Sequence, residues 1–83
     1  MAAEALNFKK VQKVIGIKQC VKAAVKGVAR AIYVADDADS RLVLPLQQIC
    51  LEKNISVIGG YTMEELGSAC GIDVGAAAIA ILK

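Results

Sequence analysis

Apolar and polar residues change period several times along the chain, and each change marks an element. In "GIKQCVKAAVKG", Gly16 to Gly27, residues Cys20, Val21, Ala24, Val25 and then Val28 line one side at roughly 100° per residue, the rotation of an α-helix. Lys18, Lys22 and Lys26 fall within about 80° of one another on a different side, with Gln19 beside them. This predicts a helix over 18–26, closed by Gly27 just past its end. Upstream, Phe8 and Val11 share a face behind Asn7, a residue type that caps helix starts, so a short helix is expected over 7–13. "VIG" then gives a brief extended piece ending at Gly16.

Downstream the period shortens. "AIYVA", Ala31 to Ala35, is rich in β-formers and bounded by charge, so it reads as a buried strand. "DDADS" follows, with Asp37 or Asp39 available as a helix cap. Leu42, Val43, Leu46, Ile49 and Cys50 make a helical stripe out to about Lys53. Pro45 is tolerated only in a first turn, so the regular helix is expected to begin near Leu44 after a looser turn. "ISVIGG" is the next strand, ended by Gly59 and Gly60. Thr62 with Glu65 three residues on forms a capping box, Met63, Leu66 and Cys70 form a buried face, and Gly71 ends that helix. "AAAIAIL" is the last strand, its small residues letting helices approach closely. The order is α, short β, α, β, α, β, α, β. Such alternation predicts an α/β fold, with helices on both faces of a sheet and strands buried on both sides.

Composition narrows the fold further. The chain has 83 residues, the size of one domain spanning 1–83, and 57% are hydrophobic but only 4% aromatic, so the core must be aliphatic. The apolar tail "VGAAAIAILK" is too short for a membrane span, and "MAAEALNFKKVQK" has no apolar block ahead of a cleavage site, so a cytoplasmic protein without membrane contact is expected. Cys20, Cys50 and Cys70 are widely spaced and there is no histidine, which argues against a disulfide framework or a thiolate zinc site. A net charge of +2 does not by itself point to nucleic acid; the placement of the lysines matters more.

Three groups could carry chemistry. Asp36, Asp37 and Asp39 follow a strand end, where carboxylates can hold metals, but a strand-to-helix loop also needs capping acids and no second ligand cluster accompanies them. Cys20 near a helix start among lysines has the setting of a lowered thiol pKa, yet no histidine is present as its base and its phase points to the core. The start of the 18–26 helix is the third. Gly16 permits close approach, free N–H groups there attract anions, and Lys18 and Lys22 add charge. Neither a Walker loop nor GxGxxG is present, and a solvated lysine face fits the same periodicity.

Two stretches together carry a family resemblance. "GIKQCVKAAVKG" resembles the G-x-[KN]-[QE]-[TS]-x-K signature of the kink-turn RNA-binding ribosomal proteins, the L-seven-Ae and L-thirty-e superfamily. "LGSACGIDVGAAAIAI" resembles that superfamily's second signature, a loop leading into the last strand, and "VADDAD" resembles the strand end and acidic turn between them. The likeness covers nearly the whole chain in the right order, and the small form is similar to the bacterial branch, ribosomal or ribosome-associated. It implies a three-layer α-β-α sandwich around a mixed four-stranded sheet. It also implies a monomeric protein without cofactor, metal or catalysis, bound to kink-turn RNA with tandem sheared G·A pairs, with the ribosome as a further partner.

Carried over by position, Gly16 would let the backbone approach RNA, and Lys18 and Gln19 would reach guanine edges. Lys22 would contact a guanine or phosphate, Lys26 would track the backbone, and Ile72, Asp73 and Val74 would pack on a flipped nucleotide. The chain departs from the archaeal pattern, which has Asn-Glu where Lys18 and Gln19 stand. Lys-Gln donates to guanine O6 and N7, whereas Glu accepts from guanine amino and imino groups. Cys20 stands where Thr or Ser is usual, which removes a hydroxyl. Two other readings use the same residues: a protein-interaction module of this fold within a ribonucleoprotein, and a small-anion binder at the Gly16–Lys22 helix start.

Overall fold

A computed structural model describes residues 7–83. In chain order its elements are β1 (Lys13–Ile15), α1 (Ile17–Lys26), β2 (Ala29–Ala35), α2 (Ser40–Glu52), β3 (Ser56–Tyr61), α3 (Met63–Ala69) and β4 (Ala78–Leu82). The strands form one mixed sheet in the order β1-β4-β2-β3, with β4 antiparallel to both its neighbours and β2 parallel to β3.

The last strand is therefore interior, and its sequence alternation decides the layers. Ala78 and Ala80 point to one face, where α1 and α2 pack on the sheet and on each other. Ile79 and Ile81 point to the other, where α3 sits with Leu66 fully buried. The small alanines admit two helices, and the isoleucines fill the space under one short helix. Burying a side chain such as Leu66 contributes about 1.5–3 kcal/mol. The result is the expected three-layer α-β-α sandwich.

Several local expectations are overturned. No helix forms over 7–13. Asn7 Oδ1 accepts from the Lys9 N–H at 3.2 Å and the Phe8 carbonyl accepts from the Val11 N–H at 3.1 Å, which makes a turn. Phe8 is held elsewhere: its N–H donates to the Ala69 carbonyl at 2.8 Å and its ring lies 4.9 Å from that of Tyr33. So short a helix is marginal by itself, and these contacts outweigh it. In α1 the buried residues are Cys20, Ala23 and Ala24, while Val25 and Val28 are 55% and 42% exposed, so the apolar side is rotated away from its expected place.

α2 begins at Ser40, with Asp39 as its cap, and continues through Pro45. The proline removes the bond to the Arg41 carbonyl, but both residues are exposed and water can take that partner. Leu42, expected in the buried stripe, is 56% exposed. Nor are all strands covered on both sides. β3 is an edge strand with Val57 exposed. It also runs through Gly59 and Gly60 to Tyr61, with a register irregularity where Gly60 takes φ 97° and its N–H donates to Asp36 Oδ1 at 3.0 Å.

Candidate functional site

Strand directions gather the expected site residues. β1, β2 and β3 all run the same way, so their carboxyl ends lie at one edge of the sheet with the start of β4. The starts of α1, α2 and α3 and the loop 71–77 are at that edge too. In α/β folds this is where ligands are held.

The three helix starts differ. Asp39 caps α2, accepting from the Arg41 N–H at 2.9 Å. Thr62 and Glu65 cap α3 reciprocally at 3.1 and 2.8 Å, and Asp37 Oδ1 accepts from the Met63 N–H at 2.8 Å. α1 has Gly16 in the cap position, no side-chain cap and no acid in its first turn. Its first turn thus keeps N–H groups without a side-chain cap, beside the exposed side chains of Lys18 and Gln19. Gly16 is required by its backbone, φ 106° and ψ 153°, and not by crowding, since a Cβ there would meet nothing within 4 Å. Its N–H donates to the Ala78 carbonyl at 2.9 Å, which fixes the start of α1 against the start of β4.

Lys22 and Lys26 continue up the exposed side of α1, each about 6 Å further along the axis. Lys26 also lies in the last turn, where a cation favours the helix dipole. Arg41–Asp39 is the ion pair found among the described residues, so none of the α1 lysines is neutralised by a described carboxylate.

The loop carrying Ile72, Asp73 and Val74 is tightly seated. Gly71 takes φ 78° after α3, and the Ile72 N–H donates to the Gly67 carbonyl at 3.1 Å. Val74 is 70% exposed and Asp73 is exposed, while Ile72 is half-buried against the Leu66 and Cys70 cluster. Between this loop and the first turn of α3 is an open cavity of about 360 Å³, bordered by Met63, Ser68 and Val74 and by the carboxylates of Asp37, Glu64 and Asp73. Gly16, Lys18 and Gln19 thus share a sheet end with Ile72, Asp73 and Val74, while Lys22 and Lys26 lead away from it.

The other chemical candidates are occupied. Cys20 is fully buried, and burial, reinforced by the charge of Cys50, pushes its thiol up to about 12, far from a nucleophile's range. Asp36, Asp37 and Asp39 each accept backbone N–H groups, as capping requires. The Arg41 guanidinium, hydrogen-bonded to the Asp39 carboxylate, holds that group below its usual range.

Sequence reasoning missed two positioning residues. Gly67 is buried under the loop at the point of closest approach, so any side chain there would collide with the Val74 carbonyl. Asp37 caps not the following helix but α3, 26 residues away. Neither relationship has a local sequence signal that names the partner, although a glycine inside a helix costs stability and so invites a packing reason.

Known proteins share this chain's sequence pattern and its fold. Residues 3–83 match the ribosomal protein L7Ae/L30e/S12e/Gadd45 family. An RNA-binding protein of Bacillus pumilus is 44% identical over 69 residues, 83% of this chain and 84% of that protein. The large ribosomal subunit protein eL8 of Halobacterium salinarum is 37% identical over 68 residues, 81% of this chain and 57% of that protein. Among solved structures, the Giardia lamblia 15.5kD RNA binding protein superposes with a TM-score of 0.81 at 28% identity, over 86% of this chain and 60% of that one.

Proposed function

The chain belongs to the ribosomal protein L7Ae/L30e/S12e/Gadd45 family, and on that footing we propose that it binds structured RNA, specifically kink-turns with tandem sheared G·A pairs. It does so as a cytoplasmic, ribosome-associated monomer that stabilises RNA shape without catalysis. The observation that carries this reading is the pairing of two unlike surfaces at one sheet end. One is the uncapped start of α1, ringed by Lys18 and Gln19; the other is the glycine-bounded loop that holds Val74 in solvent.

Each surface suits one part of a kinked RNA. Lys18 and Gln19 donate to guanine O6 and N7 in the opened groove, with Lys22 and Lys26 meeting backbone further along. The cavity beside Val74 is bordered by three carboxylates, so it repels phosphate. It favours an unstacked base, whose amino and imino groups can donate to those acids while Val74 and Ile72 cover its face. A sharp bend in RNA supplies both at once: guanine edges in a widened groove and a base thrown out of the stack.

The test is a gel shift of the wild-type protein with a kink-turn duplex and with a straight duplex of equal length. Preference for the kink-turn, lost when its G·A pairs are changed to Watson–Crick pairs, is expected. Equal affinity for both duplexes would sink the reading.

A further inference from the structure

The start of α1 is not the only free cationic group beside the loop. The turn that replaces the expected first helix carries Lys9 and Lys10, both exposed. It is anchored on the α3 face of the sheet, opposite α1, by the Phe8–Ala69 hydrogen bond and the Phe8–Tyr33 ring contact. Lys9 lies across the loop itself: a Cβ on Gly71 would meet its Cγ and Cε at 3.3 Å. Neither lysine is within ion-pair distance of a described carboxylate, although Asp73 stands in the same loop. The loop 71–75 is therefore bordered by a cation on the α3 face of the sheet, the face opposite the α1 lysines.

We propose that Lys9 and Lys10 form a second phosphate-binding edge, holding the RNA backbone as it leaves the loop on the side away from α1. This rests on the RNA-binding reading and extends its footprint from one helix to a two-sided grip. The Lys9 methylenes lie where a side chain on residue 71 would project, so the stem runs along the loop and carries its ammonium there. A glycine at that position leaves the space in which the stem lies. Phosphate contacts of this kind orient and strengthen binding without reading sequence. A structural alternative is concrete: cations near the end of α3 favour its dipole, and α3 has none in its own last turn.

The experiment compares wild type with Lys9→Gln/Lys10→Gln and Lys9→Arg/Lys10→Arg, on the kink-turn and the straight duplex, between about 50 and about 200 mM salt. The Gln variant should bind about tenfold more weakly at the low-salt end, with the slope of log K against log salt shallower by about 1–2. Its preference for kink-turn over straight duplex should be unchanged, its melting temperature unchanged, and the Arg variant should keep both affinity and slope. A Gln variant with wild-type affinity and slope on both RNAs overturns the proposal, as does a loss of affinity that tracks a lower melting temperature at unchanged slope. If wild type fails to prefer the kink-turn, the specificity reading fails alone, because the slope on the straight duplex still reports the contribution of the two lysines.

Discussion

The carbonyl of Val74 occupies the space into which a side chain on Gly67 would project. Gly67→Ala should therefore lift the loop off α3 or unwind the helix end, costing about 1–3 kcal/mol as overpacking does. The measurement is denaturant unfolding beside RNA affinity. Both should fall together, since displacing the loop also moves Ile72 and Val74.

The start of α1 separates binding from stability. Lys18 and Gln19 are exposed, with no ion pair among the described residues; if they read base edges, Lys18→Ala and Gln19→Ala should each weaken kink-turn binding by about 1–3 kcal/mol. Melting temperatures should stay at the wild-type value. Wild-type affinity in both variants would show that α1 does not read bases.

Gly16 should behave differently. At φ 106° and ψ 153° it sits where residues other than glycine are strained by about 1–3 kcal/mol, although space is open around it. Gly16→Ala is expected to lose that much stability and to loosen the bond to Ala78, with unfolding by denaturant as the check.

Val74→Ala isolates the exposed part of the loop. With 70% of its surface in solvent, truncation should leave stability unchanged within about 0.5 kcal/mol. RNA affinity should drop by roughly 1 kcal/mol if the side chain covers a base. The same truncation at Ile72 should lower both, because Ile72 also packs against Leu66 and Cys70.

Burial of Cys20 makes stability fall in alkali. Its thiol is held up to about 12 in the folded protein against 9.0 for a free thiol, so below about 9 it is protonated in both states and the full stability remains. Above that, the unfolded chain releases the proton and the folded one does not, so stability from this group declines by about 1.4 kcal/mol per pH unit until the folded group also ionises. Alkylation followed by mass spectrometry should find Cys20 unmodified in the native protein at pH near 8 and modified on unfolding.

What was legible in the sequence was what is encoded locally. Thr62 and Glu65 cap each other within one turn, and the glycines at 27 and 71 end their helices with positive φ. The family motifs carried the layer order with them. What failed was decided by distant partners. Phe8 follows Tyr33 and Ala69 in place of its own helical neighbours, and Val25 is exposed because the small residues Ala23 and Ala24 face the sheet. Pro45 is tolerated inside α2 because the carbonyl it orphans belongs to exposed Arg41, which no local rule could report.

β1 and β2 never touch each other in the sheet; both lean on β4, which comes after them in the chain. A ribosome making this protein delivers the middle of the sheet last. Until residues 78–82 emerge, Gly16 has no Ala78 to bond, Ile15 has no Ile79 beside it, and the loop at 71–77 has no strand to enter. The start of α1 and the loop 71–77 are thus tied together through β4, and only once its residues are in place.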